Sequence, residues 1–533
     1  MHPTLIAVAS TLFQRLASAP APGDTPPPPA TRFNGLRLFA GNGEAWQAKR
    51  ALIAEATATL DLAYFIVEPG DATTAQLLQD LRAAARRGVR VRLLADYLMT
   101  VRQTDALRAL AAEPGLQVRQ YGAPPPDWLQ ALAEAGIDAD AFITGLSAGN
   151  ASQVVAALQG SPLFPRRWID ALRAPAQAPS ASPLAQAAQV FGHLAGLARE
   201  PLGWFADGLP AAGPLHQLPA IVAGLHTFLH RTHHKLLLAD GRRFIMGGRN
   251  LADAYQRPDP PQGHPFWDLD IHAQDSRPAS LEHLAAFEAL WAAGHDVAGA
   301  AAPPATVAVV AAEPAAPAPA LPAPGGPVRT LADLDGCIVN GLSGPGEAAI
   351  TDTYVRHVRA LAASGAGGTI DIVSAYLFLD DDGRSSPALR ALRACLLEAA
   401  AAGITVNLRT NALATTDLRP VNAAFYRQAA ALIAGGIRVF ELKPGHGSLH
   451  AKAAAIGDDV LLIGSYNMDP RSELYDSNNL IVLRDPTGAA TATFRSLFVE
   501  PDCWAPLTAE AAAQLQQETA QSARRTLLFE PLL

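Results

Sequence analysis

The sequence predicts an α/β fold of two similar lobes, because the same order of strands and helices occurs in each half of the chain. In the first half the strand-like runs lie at 59–67, 88–96 and 115–121, with a helical stretch at 75–87. In the second half the strands lie at 369–378, 403–411 and 436–442, with a helix at 386–402. Strands that alternate with helices are typical of βαβ units whose sheet is covered on both faces.

The length of the chain also favours two lobes. With 533 residues it is too long for one ordinary core, so two large domains are expected. An Ala/Pro-rich stretch with almost no charge separates the halves and is predicted to be an extended linker. The predicted parts are an N-terminal tail and Pro-rich tether at 1–30, a first lobe at 31–298, the linker at 299–326 and a second lobe at 327–533.

The first lobe contains a long insertion, at about 124–226, that has no counterpart in the second lobe. Its apolar helical segments carry five large aromatic side chains: Trp128, Phe164, Trp168, Trp204 and Phe205. One interpretation is a helical cap packed on the first lobe. The alternative is a lid or docking surface for lipid tails, because tryptophan favours membrane interfaces.

The composition argues against several classes of protein. A net charge of −8 does not suggest a protein that coats itself in nucleic acid. Cys337, Cys395 and Cys503 are too few and too scattered for a disulfide scaffold or a zinc site. The apolar run Leu5–Phe13 is short and has no Lys or Arg before it, so an interfacial helix or frayed tail is expected there rather than a secretion signal. No apolar run reaches the length of a membrane span.

One motif occurs in both halves. The first copy reads His233, Lys235, Asp240, Gly247, Gly248 and Asn250, and the second reads His450, Lys452, Gly464, Ser465 and Asn467. In both copies the first small residue follows the lysine by twelve positions, and the asparagine comes three positions later. Each copy is predicted to be a strand, a tight turn and a second strand, which places His and Lys on one face. The matched frame argues against coincidence.

These residue types suit the transfer of a phosphodiester. A five-coordinate phosphoryl group carries negative charge on its equatorial oxygens, and two Lys and two Asn side chains supply donors for that charge. Of the two imidazoles, one attacks phosphorus while the other protonates the leaving alcohol and then deprotonates the incoming alcohol or water. This chemistry requires no metal and no other cofactor.

The paired motifs resemble those of the phospholipase D superfamily. Two further segments, TNALATTD at 410–417 and GSYNMDPRS at 464–472, resemble its bacterial cardiolipin synthase branch. The resemblance covers nearly the whole chain except the insertion and the tails. It implies an α/β/α sandwich in each lobe, a pseudo-twofold interface with the site across it, and phosphatidyl transfer between phospholipids.

The resemblance also implies roles for individual residues. His233 would be the nucleophile and His450 the general acid/base, with Asp240 also expected among the catalytic residues. The predicted phosphate-binding residues are Lys235, Lys452, Asn250, Asn467, Gly248 and Ser465. In the family, a carboxylate further along each half orients the histidine through its second ring nitrogen. Asp270 is expected to do this for His233, with Asp268 nearby.

The second half departs from the family pattern at two positions. Gly457 stands where the first copy has Asp240, with Asp458 one position late, and Asn478 stands where a Glu is expected behind His450. Asparagine accepts a hydrogen bond from imidazole but offers it no charge. We therefore expect His450 to be less basic than His233, and a degraded, inactive relative stays among the alternatives.

The function predicted from the sequence is that of a phosphatidyltransferase that makes cardiolipin or a related phospholipid through a phosphohistidine. The alternatives are a hydrolytic phospholipase D, a phosphodiesterase or nuclease of the same superfamily, and an inactive lipid-binding relative. The expected partners are phospholipid substrates and a membrane surface, with no nucleic acid and with the oligomeric state left open. The expected location is the periphery of a bacterial inner membrane, with the cytoplasmic face favoured.

Overall fold

The computed structural model describes residues 28–148, 150–161, 221, 224, 228–257, 265–276, 281–297, 328–341, 348–379 and 386–520. The predicted linker and most of the predicted N-terminal tail lie outside these residues. So do four aromatic residues of the predicted insertion, Phe164, Trp168, Trp204 and Phe205.

The strands of the first half form one mixed sheet. They are β1 (Thr31–Phe39), β2 (Thr59–Tyr64), β3 (Arg90–Asp96), β4 (Leu116–Tyr121), β5 (Arg231–Thr232), β6 (Lys235–Ala239), β7 (Arg243–Gly247), β8 (Phe266–Trp267), β9 (Asp270–Asp275) and β10 (His295–Asp296). The order across the sheet is β10-β4-β3-β2-β6-β7-β9-β1, in which β2, β3 and β4 are parallel and the other neighbours antiparallel. Short β5 and β8 lie outside this order and pair with the other half.

The strands of the second half repeat this arrangement. They are β11 (Arg329–Thr330), β12 (Leu334–Gly341), β13 (Thr369–Ser374), β14 (Thr405–Asn411), β15 (Arg438–Leu442), β16 (Ser448–Leu449), β17 (Lys452–Ile456), β18 (Val460–Gly464), β19 (Asp476–Arg484) and β20 (Trp504–Leu507). The order is β20-β15-β14-β13-β17-β18-β19-β12. Strand for strand it matches the first half, and antiparallel pairing of β1 with β12 joins the two sheets.

Helices cover the sheets on both faces. They are α1 (Asn42–Glu55), α2 (Ala72–Arg86), α3 (Tyr97–Thr100), α4 (Thr104–Ala111), α5 (Pro126–Glu134), α6 (Ala139–Ser147), α7 (Ala151–Leu158), α8 (Asp253–Gln256), α9 (Leu281–Ala293), α10 (Ala349–Ser364), α11 (Pro387–Ala401), α12 (Arg419–Ala434), α13 (Pro470–Leu474), α14 (Ala489–Phe498) and α15 (Ala509–Glu518). In the first lobe, α1, α2 and α4 pack on one face and α9 on the other. In the second, α10, α11, α12 and α15 pack on one face and α14 on the other. The predicted pair of α/β/α lobes is confirmed.

The two lobes share a hydrophobic core. Successive residues of a strand point to opposite faces, so Leu237 packs under the helices of the first lobe while Leu236 and Leu238 point away from them. Leu236 and Leu238 lie in the same buried cluster as Ala453 and Ala455 of β17. The hairpins that carry the two motifs are therefore packed back to back across the interface between the lobes.

The described part of the predicted insertion is helical, with α5, α6 and α7 around a small core of their own. Trp128 is buried in that core, where its indole N–H donates to the carbonyl of Ile221 and its ring packs against Phe228. This contact contradicts an outward-facing Trp128 and supports a cap at this position. Within the described residues, no helix combines the length and apolarity needed to cross a bilayer.

Candidate active site

Each motif forms the predicted strand, turn and second strand, with one refinement. The lysines begin β6 and β17, so the two histidines lie just before the strands. Lys235 Nζ donates to the carbonyl of His233 at 2.9 Å, and Lys452 Nζ donates to the carbonyl of His450. Each lysine is thus held beside its own histidine, as the two-residue spacing predicted.

Asp240 lies at the wrong end of its strand to be catalytic. It has a positive φ of 53° in the turn between β6 and β7, and its carboxylate accepts from the backbone N–H groups of Thr57, Ala58 and Thr59. Five residues of extended chain, about 16 Å, separate it from Lys235. The predicted catalytic role is therefore wrong, and Asp240 is a turn residue. Gly457 occupies the same turn position in the second half with φ 63°, which glycine adopts without strain.

Two short parallel pairings connect each histidine to the opposite lobe. Before His233, β5 pairs with the start of β19, and before His450, β16 pairs with β8. The His233 N–H donates to the carbonyl of Ser477 and the His450 N–H to the carbonyl of Trp267, both at 2.8 Å. The residue that follows each of these carbonyls, Asn478 or Asp268, is thereby placed beside a histidine of the other lobe.

The side chain of His233 is paired with Asn478, with 2.9 Å between His233 Nδ1 and Asn478 Oδ1. The asparagine amide has a fixed orientation, because its Nδ2 donates to the carbonyls of Ser472 and Asp476. Its Oδ1 therefore faces the imidazole and can only accept, so His233 donates from Nδ1. The Nε2 of neutral His233 then carries a lone pair.

Ser465 completes this network. Its Oγ accepts from the Asn479 backbone N–H at 3.1 Å and lies 2.9 Å from Asn478 Oδ1, to which it donates. Gly248 has the corresponding place in the first lobe, where an added Cβ would lie 2.0 Å from Asp268 Oδ1. Ser465 therefore holds the acceptor Asn478, and the absence of a side chain at Gly248 leaves space for Asp268. Their predicted role in binding phosphate stays a prediction.

His450 is paired with a carboxylate. The distance from His450 Nδ1 to Asp268 Oδ2 is 2.7 Å, and both side chains are buried. The other oxygen of Asp268 accepts from the Leu269 N–H at 2.7 Å. Burial raises the pKa of Asp268, but the neighbouring His450 and Lys452 outweigh it and bring the pKa to about 2.

The predicted partners of the two histidines are therefore exchanged. Asn478, expected behind His450, serves His233, while the carboxylate that serves His450 is Asp268 of the first lobe. The expectation that His450 is the less basic imidazole is reversed, because His450 is the one that faces a carboxylate. The reason is topological: the acceptor comes from the opposite lobe through the parallel pairings.

Asp270, the predicted partner of His233, belongs to a buried ion cluster on the far side of Asp268. Its Oδ2 lies 2.5 Å from Lys49 Nζ, and both side chains are almost fully buried. Arg249 lies 3.8 Å from the same carboxylate and donates to the carbonyl of Asp268 at 2.7 Å. The predicted contact between Asp270 and His233 is therefore wrong. Lys49 was missed because one lysine in an ordinary helix gives no sequence signal.

Two further buried residues each accept a hydrogen bond from the backbone N–H of the residue that precedes a motif histidine. Asp96 ends β3 and accepts from the Thr232 N–H at 3.1 Å. Asn411 ends β14 and accepts from the Leu449 N–H at 2.8 Å. Asp96 and Asn411 occupy the last position of matching strands in the two lobes. An alignment of the two repeats places a polar residue at this position in both, and that match could have identified Asp96 from the sequence.

The asparagines of the motif are buried just after β7 and β18, and their phosphate-binding role stays a prediction. Asn250 Oδ1 accepts from the Ile66 N–H at 3.2 Å, so the Nδ2 of the same amide points away from Ile66. Around His450 the ring edges of Tyr255 and Phe266 approach at 5.0 and 5.1 Å between centroids, and Phe65 approaches His233 at 4.9 Å. The imidazoles thus lie in largely apolar walls.

The charged groups of the two motifs are close enough to shift one another's pKa. Burial, together with Lys235, Lys452 and His450, lowers the pKa of His233 well below its ordinary value. Burial and Lys452 lower the pKa of His450 to about 4, against the opposing effect of Asp268. Burial lowers the pKa of Lys452 to about 8, while that of Lys235 is lowered by burial and by Lys452.

The two lysine charges repel further protons on the neighbouring imidazoles, and the same charges favour the binding of an anion such as a phosphodiester. Among the described residues no group of three or more His, Cys, Asp or Glu side chains is arranged to hold a metal ion.

Comparison with known proteins points in the same direction. Residues 362–500 match the family described as "Cardiolipin synthase, PLD-like domain". Cardiolipin synthase C of Escherichia coli is 31% identical over 134 residues, which are 22% of this chain and 26% of that protein. Cardiolipin synthase A of Pseudomonas fluorescens is 30% identical over 245 residues, 45% of this chain and 42% of that protein. The alignments thus span well under two thirds of these relatives.

A solved structure matches over nearly the full length. The crystal structure of phosphatidylserine synthase of Haemophilus influenzae aligns with a TM-score of 0.51 at 11% identity, covering 98% of this chain and 99% of that one. This likeness concerns the fold alone. Together the matches confirm the resemblance to the phospholipase D superfamily, and to its cardiolipin synthase branch, that the paired motifs predicted.

Proposed function

We propose that the protein is a phosphatidyltransferase that joins two phospholipids into cardiolipin or a related lipid by double displacement. The observation that carries this proposal is the pair of buried His-x-Lys motifs, in which each histidine is held by an acceptor of the opposite lobe. Such a site offers one nucleophile and one proton carrier for a single phosphorus atom.

His233 is the nucleophile in this proposal. A nucleophilic imidazole has to be neutral with a free lone pair, and Asn478 provides both conditions, since it fixes the proton on Nδ1 and adds no negative charge. In the first step Nε2 of His233 bonds to phosphorus as the bond from phosphorus to the headgroup oxygen breaks.

His450 is the proton carrier. The carboxylate of Asp268 stabilises its imidazolium form, which donates a proton to the departing headgroup alcohol. In the second step neutral His450 takes the proton of the incoming hydroxyl, whose oxygen bonds to phosphorus while the bond to His233 breaks. Lys235, Lys452 and the two motif asparagines donate to the phosphoryl oxygens.

Transfer is favoured over hydrolysis by the relatives described above, both of which are named as cardiolipin synthases. The protein is proposed to work at the surface of a bacterial inner membrane, where both lipid substrates are found. The proposed cytoplasmic face follows from the sequence prediction alone.

The proposal is tested with the purified full chain on vesicles of phosphatidylglycerol and phosphatidylethanolamine, so that either lipid can serve as donor. Mass spectrometry of the lipids is expected to show cardiolipin, with glycerol or ethanolamine released in equal amount. His233→Ala should abolish both products. His446→Ala, an exposed histidine in the loop before the second motif, is the matched control and should keep wild-type activity.

The trapped intermediate tests the assignment of roles. After a denaturing quench of the wild type in detergent at mildly alkaline pH, which preserves an acid-labile P–N bond, a phosphatidyl adduct should be found on the peptide that contains His233. Phosphatidic acid as the main product would identify a hydrolase instead. No turnover of either lipid by the wild type, with vesicle binding retained, would leave an inactive lipid-binding relative.

A further inference from the structure

A carboxylate near Lys452 has no role in the double displacement described above. Asp417 is the last residue of the segment TNALATTD, and its side chain is partly buried. We propose that Asp417 binds hydroxyl groups of the accepting alcohol and so selects polyol acceptors, such as a glycerol headgroup, over simple alcohols and water. This inference rests on the proposed function and names the acceptor class for that same site.

The segment is tied to the chain next to His450. At its start, Asn411 Nδ2 donates to the carbonyl of Leu449 at 2.8 Å, and Asn411 Oδ1 accepts from the Leu449 N–H at the same distance. Thr415 Oγ1 then accepts from the Ala412 N–H and closes a tight turn. The turn brings Asp417 back toward the strand that carries Lys452.

Tyr376 fixes the Asp417 carboxylate. The phenol hydroxyl lies 2.8 Å from one carboxylate oxygen and 2.9 Å from the other, and it donates its proton to the pair. Tyr376 follows Ser374 by two residues, and Ser374 pairs directly with Lys452 across β13 and β17. Burial lowers the pKa of Lys452, and the nearby Asp417 carboxylate raises it.

Among the described residues of the first lobe, no tyrosine and carboxylate pair lies at the matching place. Parallel bridges between Val67 and Leu251, and between Leu377 and Met468, fix the correspondence of the two loops. Ile66 of the first lobe therefore corresponds to Tyr376 of the second. The His233 side of the site has an apolar residue where the His450 side has a tyrosine and a carboxylate.

The chemistry of this side fits an alcohol. The leaving and incoming oxygens exchange protons with His450, so the rest of the alcohol lies on that side of the phosphorus. A carboxylate repels the phosphate itself but accepts hydrogen bonds from hydroxyl groups. A glycerol unit whose terminal oxygen reacts at His450 presents its remaining hydroxyls to Asp417.

The experiment is a competition among acceptors. Vesicles of phosphatidylethanolamine serve as donor with equal concentrations of deuterated glycerol and n-propanol, and the products are phosphatidylglycerol, phosphatidylpropanol and phosphatidic acid. In Asp417→Asn the ratio of glycerol to propanol transfer should fall about 10- to 100-fold, the value of one or two charge-assisted hydrogen bonds. Propanol transfer should stay within about threefold of wild type. Tyr376→Phe should change the ratio in the same direction.

The matched control is Glu441→Gln. Glu441 is likewise a partly buried carboxylate of the second lobe held by a tyrosine, with 2.5 Å to the Tyr426 hydroxyl, and its strand position is β15. The ratio of glycerol to propanol transfer in Glu441→Gln should equal that of wild type. If Asp417→Asn keeps the wild-type ratio, or loses glycerol and propanol transfer equally, Asp417 is not an acceptor-binding residue although the proposed function stands. If the wild type makes none of the three products, the proposed function itself fails and this inference with it.

Discussion

The pairing of His450 with Asp268 makes a quantitative prediction about proton transfer. In Asp268→Asn the shape of the side chain is kept but the charge that stabilises the imidazolium of His450 is lost. Burial raises the pKa of Asp268, but the positive charges of His450 and Lys452 bring it below its ordinary value. A hydrogen bond to a charged group contributes about 1.5–3 kcal/mol. Proton donation to the leaving alcohol should therefore slow by about 10- to 100-fold.

The substitution removes a hydrogen bond as well as the charge. One Asp268 oxygen accepts from His450 and the other from the Leu269 N–H, and an amide has a single oxygen for the two donors. Asparagine therefore gives up one of these bonds as well as the charge. The loss of rate should come from proton transfer by His450, since the substitution leaves His233 and its acceptor Asn478 unchanged.

The assay varies the leaving group. With phosphatidylethanolamine as donor, Asp268→Asn should form the adduct on His233 about 10 to 100 times more slowly than wild type. With a p-nitrophenyl phosphatidyl ester, whose leaving group departs without a proton, the burst of nitrophenolate should be within about threefold of wild type. Equal losses on both donors would show that Asp268 has a structural role only. An adduct on His450 would reverse the roles.

Three further predictions concern other buried groups. Asp270→Asn should lower the free energy of unfolding by about 3–5 kcal/mol in urea titrations, because it leaves Lys49 buried without its counter-ion; a change under 1 kcal/mol would contradict this. Binding of orthovanadate should weaken above about pH 8, where Lys452 loses its proton and its charge, and Lys452→Arg should retain binding there; equal pH profiles would exclude Lys452 as the titrating group. Asn478→Asp should move the acid limb of kcat/KM to higher pH, because a carboxylate raises the pKa of His233 and protonates the nucleophile earlier; an unmoved limb would refute the pairing.

The repeat in the sequence contained much of the site. Hydrophobic runs with helical stretches between them predicted β2, β3, β13 and β14 within a few residues, because strand and helix periodicity are local properties. The spacing of His-x-Lys and the downstream asparagine predicted which side chains lie together. These residues are close in sequence, so one hairpin fixes their geometry.

The local sequence pattern could not predict which partner each carboxylate has in the structure. Asp268 and Asp270 are two residues apart near the start of one strand, and sequence alone gives no reason for one to reach His450 and the other Lys49. A similar limit applied to Asp240, whose position after the lysine resembled a catalytic motif although the turn required it.

The sequence by itself therefore determined the α/β repeat, the two motifs and the class of chemistry. Only the tertiary structure decided which acceptor serves which imidazole. His233 and Asn478 are 245 residues apart, and His450 and Asp268 are 182 apart. The pairings β5–β19 and β8–β16 cross from one lobe to the other, so each histidine receives its acceptor from the lobe that does not contain it. The physical reason is that packing the two hairpins back to back buries their apolar faces together, and this docking sets the register of the crossing strands.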